Sequence, residues 1–454
     1  MAVISQRNGT VTVMEKEQES RFEHGGLITN YFRLALPVVL GSIVTIVYNL
    51  ADTYFISQTE NTSLIAGVSV CAPIFTILMA FGNIFGQGGS SLLSRLLGQK
   101  RPKDARRVSA FCFWIALATG AAVGGLALVL RDPFLSILGA SADSLPHARE
   151  YGTVLMLGAP LITVNFIHMN LLRCDGKAAL SMTGTLIGAA VNIILDSLLI
   201  PGMGACGAAI ATVIGYGCSD LFLFFIAARF SAVLSVRPLL RIEEPFLKDV
   251  LSIGVTAAIT NIAGSICMIL LNRQLLPYGD DRIAAMGIVL KVTMIVQMIL
   301  VGFSFGGVPL FGYLSGAGRQ DRIRKLLRFC LLFLVSLSLL MTLVIVLAAA
   351  PLLSLVTPDE QLVTLGVPML RRLVSGCVFA GVVMLLTCLC QASGKAGPAL
   401  ILSLSRQGVV FAVVLLIASR LFGYEGILAS QPAADLLSAV LAVLIVRRIL
   451  TGIE

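Results

Sequence analysis

The sequence predicts an all-α polytopic membrane protein with twelve transmembrane helices arranged as two pseudo-symmetric six-helix bundles. Three observations carry this reading: a very apolar composition, a regular succession of apolar stretches, and an internal repeat. Of 454 residues, 57% are hydrophobic and 13% charged, against about 25% charged in soluble domains. A soluble globule already leaves more than half of its surface apolar and needs charge to stay dispersed, so it has no place for this much hydrocarbon. Disordered, collagen-like and disulfide-stapled classes are excluded as well. The formal charge of +9 does not indicate nucleic acid, because the basic residues sit in loops beside apolar spans.

A helix crosses the hydrocarbon with about 20 apolar residues. Stretches of that kind, bounded by charge, Pro-Gly pairs or loop chemistry, fall at 30–56, 64–92, 108–130, 150–172, 178–200, 205–228, 249–272, 283–308, 326–349, 370–391, 398–420 and 425–446. The third lies between Arg107 and Arg131, the fourth between Arg149 and Arg173, the seventh between Lys248 and Arg273. They are apolar all round, and the short alternating segments of a barrel are absent. Residues 1–29, with Glu15, Lys16, Glu17, Glu19, Arg21 and Glu23, read as a cytoplasmic tail rather than a signal peptide. Pro37, Pro73, Pro160, Pro309, Pro368 and Pro432, within or near spans, mark expected kinks.

With the N-terminus inside, 24 of the 33 Lys and Arg residues fall on the inner side and 7 on the outer, leaving Lys291 and Arg406 within spans. Both termini are therefore expected in the cytoplasm, in a plasma (inner) membrane. The ten cysteines lie mostly in or at the ends of spans and read as small apolar packers. Cys388 and Cys390 lack the second pair or histidine that a zinc site requires.

Sliding the chain by 218 residues lays the block beginning at Gly88 on the block beginning at Gly306, with nine of 25 positions identical, among them Gly98/Gly316, Arg101/Arg319 and Cys112/Cys330. The same offset lays Gly176-Lys177-Ala178 on Gly394-Lys395-Ala396. Each copy holds six spans, an even number, so both enter the membrane the same way up and the repeat is parallel. The expected organisation is a six-helix bundle at 30–229, a linker at 230–248, a second bundle at 249–448 and a tail at 449–454.

Carboxylates inside the spans cost about 3 kcal/mol each even on a gentle scale, so each needs an explanation. Asp52 and Asp196 each lie about four residues before the outer end of a span, ~6 Å below it at ~1.5 Å per residue. Asn192 is one turn from Asp196 on the same face, and Thr212 lies at similar depth on the descending sixth span. Two carboxylates, an amide oxygen and a hydroxyl suit a hard cation, or two acids sharing a proton. Interfacial placement facing water is the plainer reading for the two acids, and helix packing for Thr212 alone. Asp435 is near mid-membrane in the last span. Asp220 reads either as a partner of a loop arginine or as a functional acid. Arg406 and Lys291 either snorkel or pair with polar neighbours, and Asn165 with His168 forms a polar pair one turn apart. Met294, Gln297 and Met298 give the eighth span an adaptable face, core by default and a drug-binding wall in the sharper reading.

The run LALPVVLGSIVTIVYNLADTYFIS, the loop SRLLGQKRPKDARR, VNIILDSLLI followed by GACGAAIATVIGY, and QASGKAGPA resemble, in this order, the multidrug and toxic compound extrusion (MATE) family. The resemblance extends from about residue 30 to the C-terminus. It implies two bundles forming a V around a central cavity, and antiport of amphipathic, usually cationic compounds against Na+ or H+. The family's first-bundle cation site carries over onto Asp52, Asn192, Asp196 and Thr212. A substrate cavity is expected to involve Tyr48, Asn49, Met294, Gln297, Met298 and Asp435. One branch of the family uses further acids in the early spans of the second bundle; spans seven and eight have none in their apolar cores, which favours coupling through the first bundle. No cofactor beyond the coupling ion, no nucleic-acid partner and a functional monomer are expected. A lipid-linked precursor flippase of the same superfamily is the alternative, disfavoured by the scarcity of intramembrane cations. No P-loop and no nucleophile–base or metal constellation suggests an enzyme.

Overall fold

The computed structural model describes residues 25–231, 233–237, 242–357 and 359–451. The first 24 residues of the expected N-terminal tail, with Arg7, Lys16 and Arg21, Arg241 in the linker, and 452–454 of the C-terminal tail lie outside the described residues. No strand occurs among the described residues. In chain order the helices are α1 Leu27–Ser57, α2 Thr62–Val70, α3 Ala72–Gly98, α4 Pro102–Val129, α5 Arg131–Ile137, α6 Leu145–Leu157, α7 Ala159–Cys174, α8 Ala178–Phe230, α9 Glu244–Leu275, α10 Asp280–Phe305, α11 Val308–Gly316, α12 Gln320–Leu347, α13 Ala349–Ser354, α14 Glu360–Ser375, α15 Cys377–Ala392, α16 Ala396–Gln407 and α17 Val409–Thr451.

Hydrocarbon offers the backbone no water, so the chain spans it as helices whose hydrogen bonds close internally. Side-chain hydroxyls follow the same logic. Ser42 donates to the Val38 carbonyl and Thr45 to the Gly41 carbonyl, each at 3.0 Å, and Thr76 to the Ala72 carbonyl at 3.2 Å. Where a span begins in a polar loop, a side chain caps it: Asn61 Oδ1 accepts from the Leu64 N–H at 3.0 Å, and Asp359 Oδ1 accepts from the Gln361 and Leu362 N–H groups at 2.9 and 3.2 Å.

Eight helical stretches are long and apolar enough to cross a membrane, and ten when two bent pairs, α6 with α7 and α14 with α15, each count as one span. Two of the ten are too long for a single crossing. The 53 residues of α8 would extend about 80 Å, more than twice a hydrocarbon core of about 30 Å. The helix breaks at Gly204, with φ 55° and ψ −128°, and α17 breaks at Gly423, with φ 56° and ψ −131°. Each break separates an ascending from a descending span, which brings the count to the predicted twelve. Both glycines occupy a region of backbone space that a Cβ makes unfavourable, so the span is reversed without a loop.

The chain clusters into two compact units, 1–255 and 256–454. In the first, α1 packs along α8, α3 against α4 and α7, and α7 against α8. Its core includes Phe85, Leu93, Phe111, Ile167, Leu171, Leu223 and Val250. The described part of the segment before α9 is tied to α4: Trp114 Nε1 donates to the Val236 carbonyl at 3.0 Å, and Ser109 Oγ donates to the Val233 carbonyl at 3.2 Å while accepting from the Ser235 N–H at 3.0 Å. In the second unit, α15 packs on α12, α16 and α17, and α10 on α14 and α15.

The expected proline kinks are realised unevenly. Pro73, Pro160 and Pro309 stand in the first turn of α3, α7 and α11, where a missing N–H costs nothing, and the joint before α7 bends by 52°. Pro37, Pro368 and Pro432 lie inside continuous helices. The 42° bend between α14 and α15 instead falls at Gly376, with no proline at the joint.

We expect Gly204→Ala to lower the apparent melting temperature of the purified protein, at a cost of about 1–3 kcal/mol for a side chain forced into this backbone region. Gly202→Ala, two residues away in helical backbone with open space around its Cβ, should be neutral. Equal effects in a thermal-shift assay would show that the backbone angle at 204 is not what selects glycine.

Candidate functional site

The first unit gathers polar groups where α1 lies along the first half of α8. Asp196 and Asn192 sit one turn apart on α8 and are 0% and 2% exposed. Thr212, beyond the break at Gly204, returns to the same level and is also buried. With its amide turned to satisfy both neighbours, Asn192 donates from Nδ2 to Asp196 Oδ2 at 3.2 Å and its Oδ1 accepts from the Thr212 backbone N–H at 3.3 Å. Thr212 thus enters through its main chain, whereas depth alone had suggested its hydroxyl. Asp52, half-buried on α1, lies within electrostatic reach of Asp196. One oxygen of each acid, Asp52 Oδ1 and Asp196 Oδ1, is buried without a hydrogen-bond partner.

Two tyrosines stand by this pair of acids, and a third stands behind one of them. Tyr48, one turn before Asp52 on α1, hydrogen-bonds with Tyr216 of α8, and Tyr151 of α6 lies within electrostatic reach of both acids. Tyr151 and Tyr216 escaped the sequence reading. A phenol inside an otherwise apolar span is the signal that marks them, since a buried hydroxyl normally seeks a partner. Tyr48 and Asn49, expected in the substrate cavity, are on α1 of the first unit, with Tyr48 beside the acids.

A second polar cluster occupies the same unit. Asn165 Nδ2 of α7 donates to Ser219 Oγ at 2.9 Å and to Asp220 Oδ1 at 3.0 Å, and His168 Nδ1 lies 3.7 Å from the same oxygen. Asp220 therefore pairs with Asn165 and His168 rather than with a loop arginine. The His168 ring also tilts against Phe113, with centroids 5.4 Å apart.

In the second unit, Arg406 of α16 neither snorkels nor stands alone. Its Nε donates to Asp435 Oδ1 of α17 at 3.0 Å and its Nη2 to Gln297 Oε1 of α10 at 2.7 Å, while Gln431 Nε2 donates to Asp435 Oδ1 at 3.1 Å. Both charges are buried, at 6% and 2% exposure. This network forms part of the wall of a cavity of about 640 Å3, to which Met294, Gln297 and Asp435 contribute together with Lys291. Met298, half-buried on the same helix, is not among the residues that line it. Among the described residues no group of three or more His, Cys, Asp or Glu side chains is placed to hold a metal ion, so any cation at Asp52 and Asp196 would need neutral oxygens to complete its shell.

Comparison with known proteins agrees with this architecture. The family model MatE matches twice, at 37–198 and 256–417. The chain is 30% identical over 438 residues to the multidrug export protein MepA of Staphylococcus haemolyticus, covering 95% of this chain and 96% of that protein. It is 31% identical over 440 residues to MepA of Staphylococcus aureus, with the same coverage. Among solved structures it is similar to an outward-facing multidrug resistance MATE family transporter of the MOP superfamily, with TM-score 0.89, 23% identity, and 96% and 98% of the two chains covered. It is also similar to a MOP superfamily transporter from Pyrococcus furiosus for which a reverse polarity of the binding pocket suggests a different function, with TM-score 0.89, 24% identity, and 95% and 98% coverage. At these identities the structural likeness bears on the fold alone.

Removing one member of a buried ion pair leaves the other charged and uncompensated, at about 3–5 kcal/mol. Arg406→Gln and Asp435→Asn should each lower thermal stability clearly, and the double variant should be more stable than either single one. Additive losses in a thermal-shift double-mutant cycle would show that the pair is not the unit described.

Proposed function

Because the chain belongs to the multidrug and toxic compound extrusion family, a family of multi-pass membrane transporters, we propose that it is a secondary active antiporter that exports amphipathic compounds in exchange for Na+ or H+ by alternating access. One observation carries the coupling part of this reading: Asp52 and Asp196 each bury an oxygen that has no hydrogen-bond partner, at one place in one bundle. A buried carboxylate without a partner is costly, and a proton or a hard cation removes that cost. Asn192 fixes Asp196 by donating to its other oxygen, and the Thr212 backbone fixes Asn192 in turn. The arrangement keeps Asp196 Oδ1 free for the ion. Tyr48, hydrogen-bonded to Tyr216, stands within electrostatic reach of the acids as a neutral neighbour.

Coupling requires that the ion prefer one conformation over the other; equal affinity for both would shift nothing. The acids reside on α1 and α8, and α1 packs along α8. Filling the site removes repulsion between two carboxylates on neighbouring helices, so ion occupancy and the packing of α1 on α8 depend on each other. Export, a cell-membrane location, cytoplasmic termini and function as a monomer follow in this reading from the family and from the charge of the loops. A lipid-linked precursor flippase has less support, since Asp435 neutralises Arg406 and leaves little positive charge for a pyrophosphate.

Vesicles reconstituted with the protein and given an imposed Na+ or pH gradient should move a fluorescent amphiphile against its own gradient. Asp52→Asn and Asp196→Asn should each abolish that movement while leaving expression and thermal stability intact. Near-normal transport in both variants would refute the site, and movement driven by neither gradient would refute antiport.

A further inference from the structure

The cavity of the second unit carries a charge that nothing above uses. Its volume of about 640 Å3 lies in the range of small-molecule sites. Leu271, Met286, Leu290, Met294 and Phe411 make much of its wall apolar. Three charged groups line it, Arg406, Asp435 and Lys291. Arg406 and Asp435 neutralise each other at 3.0 Å, and Gln297 and Gln431 take up further polar capacity of the pair. Lys291 has no ion pair or hydrogen bond among the described residues and is exposed. The cavity therefore presents one uncompensated positive charge against an apolar wall.

We propose that this cavity is a binding site for an amphipathic monoanion, whose apolar body lies against the methionines, leucines and Phe411 and whose acidic head group pairs with Lys291. The assignment rests on the transport reading above and narrows its substrate class, in a direction opposite to the cationic compounds that the family resemblance implies. An exposed ammonium beside an apolar wall gains from a ligand that brings its own negative charge, because the ligand's apolar body covers the wall and shields the charged hydrogen bond from water. The Arg406–Asp435 pair is already satisfied and acts as a fixed polar floor; a second anionic charge on the ligand would face Asp435 unpaired. The head group is thus a single acid, such as a carboxylate or sulfonate, and the lysine's three donors accommodate either.

The test is equilibrium binding, which involves no ion gradient, so its failure and the failure of antiport are distinguishable. Purified transporter in nanodiscs of zwitterionic lipid is titrated with a dansylated long-chain fatty acid and with the primary amide of the same molecule. The acid should bind at least about tenfold more tightly, the scale of one charge-assisted hydrogen bond. Lys291→Met and Lys291→Gln should remove that preference, and Lys291→Arg should keep it. Loss of acid binding when the discs contain phosphatidylglycerol would identify a lipid acid as the natural source of the head group, whereas undiminished binding would identify a free amphiphile. Equal affinity for acid and amide, or a preference unchanged in both neutral Lys291 variants of normal thermal stability, overturns the proposal.

Discussion

A polar group within hydrocarbon must find its partner inside the protein, and that constraint organises this molecule. It makes the chain helical throughout its spans, folds hydroxyls back onto carbonyls, and sorts most basic residues into loops. It also makes the exceptions informative. Asn165 with Asp220, and Arg406 with Asp435, obey the rule through side chains on different helices. Asp52 and Asp196 break it, each with one buried oxygen left over, and Asp220, paired through Oδ1, leaves its Oδ2 over as well. Lys291 escapes it only because it faces a cavity. Paired groups hold the bundles together, and two of the unpaired oxygens, on Asp52 and Asp196, are the ones proposed to take an ion.

The two units have diverged over a shared backbone plan. Gly204 and Gly423 adopt nearly the same angles, and the family model begins at 37 in one copy and 256 in the other, both relations giving an offset of 219. The blocks at Gly88 and Gly176 repeat at 218, so the register shifts by one residue before Gly306 and back again between Ala396 and Gly423, a stretch that also contains the irregular Gly408 at φ −148° and ψ −112°. Carried across at 219, Asn192, Asp196 and Thr212 correspond to Phe411, Leu415 and Gln431. The second unit has replaced an acid and an amide with apolar side chains, and Phe411 and Gln431 there line the cavity. One copy retains the groups suited to a small ion and the other has opened a room for a larger molecule.

Much of the fold was legible in the sequence because hydropathy reports it directly. The first span was expected at 30–56 and occupies Leu27–Ser57; the third was expected at 108–130 and ends at Val129. Bends were less legible, since prolines at the start of a helix cost nothing and the joint at Gly376 involves no proline. Asn192 and Asp196 were readable as a pair because helical spacing places them on one face. The pairing of Arg406 with Asp435, 29 residues apart on separate helices, depends on packing that no local pattern encodes. The same holds for Tyr151, which reaches the acids from α6, and for Tyr216, which meets Tyr48 from the far half of α8.

The glycine reversals at 204 and 423 have a practical side. A conventional hairpin between membrane helices carries a loop that tolerates epitope tags, labelling cysteines and protease sites. Here the reversal consumes a single residue, and helix continues on either side. Topology mapping or antibody selection aimed at these two turns would find almost no extended chain to grip. The segment around 139–143, between α5 and α6, is one place in the described chain where an insertion meets exposed, non-helical backbone, and 58–61, between α1 and α2, is another. Handles for spectroscopy belong there.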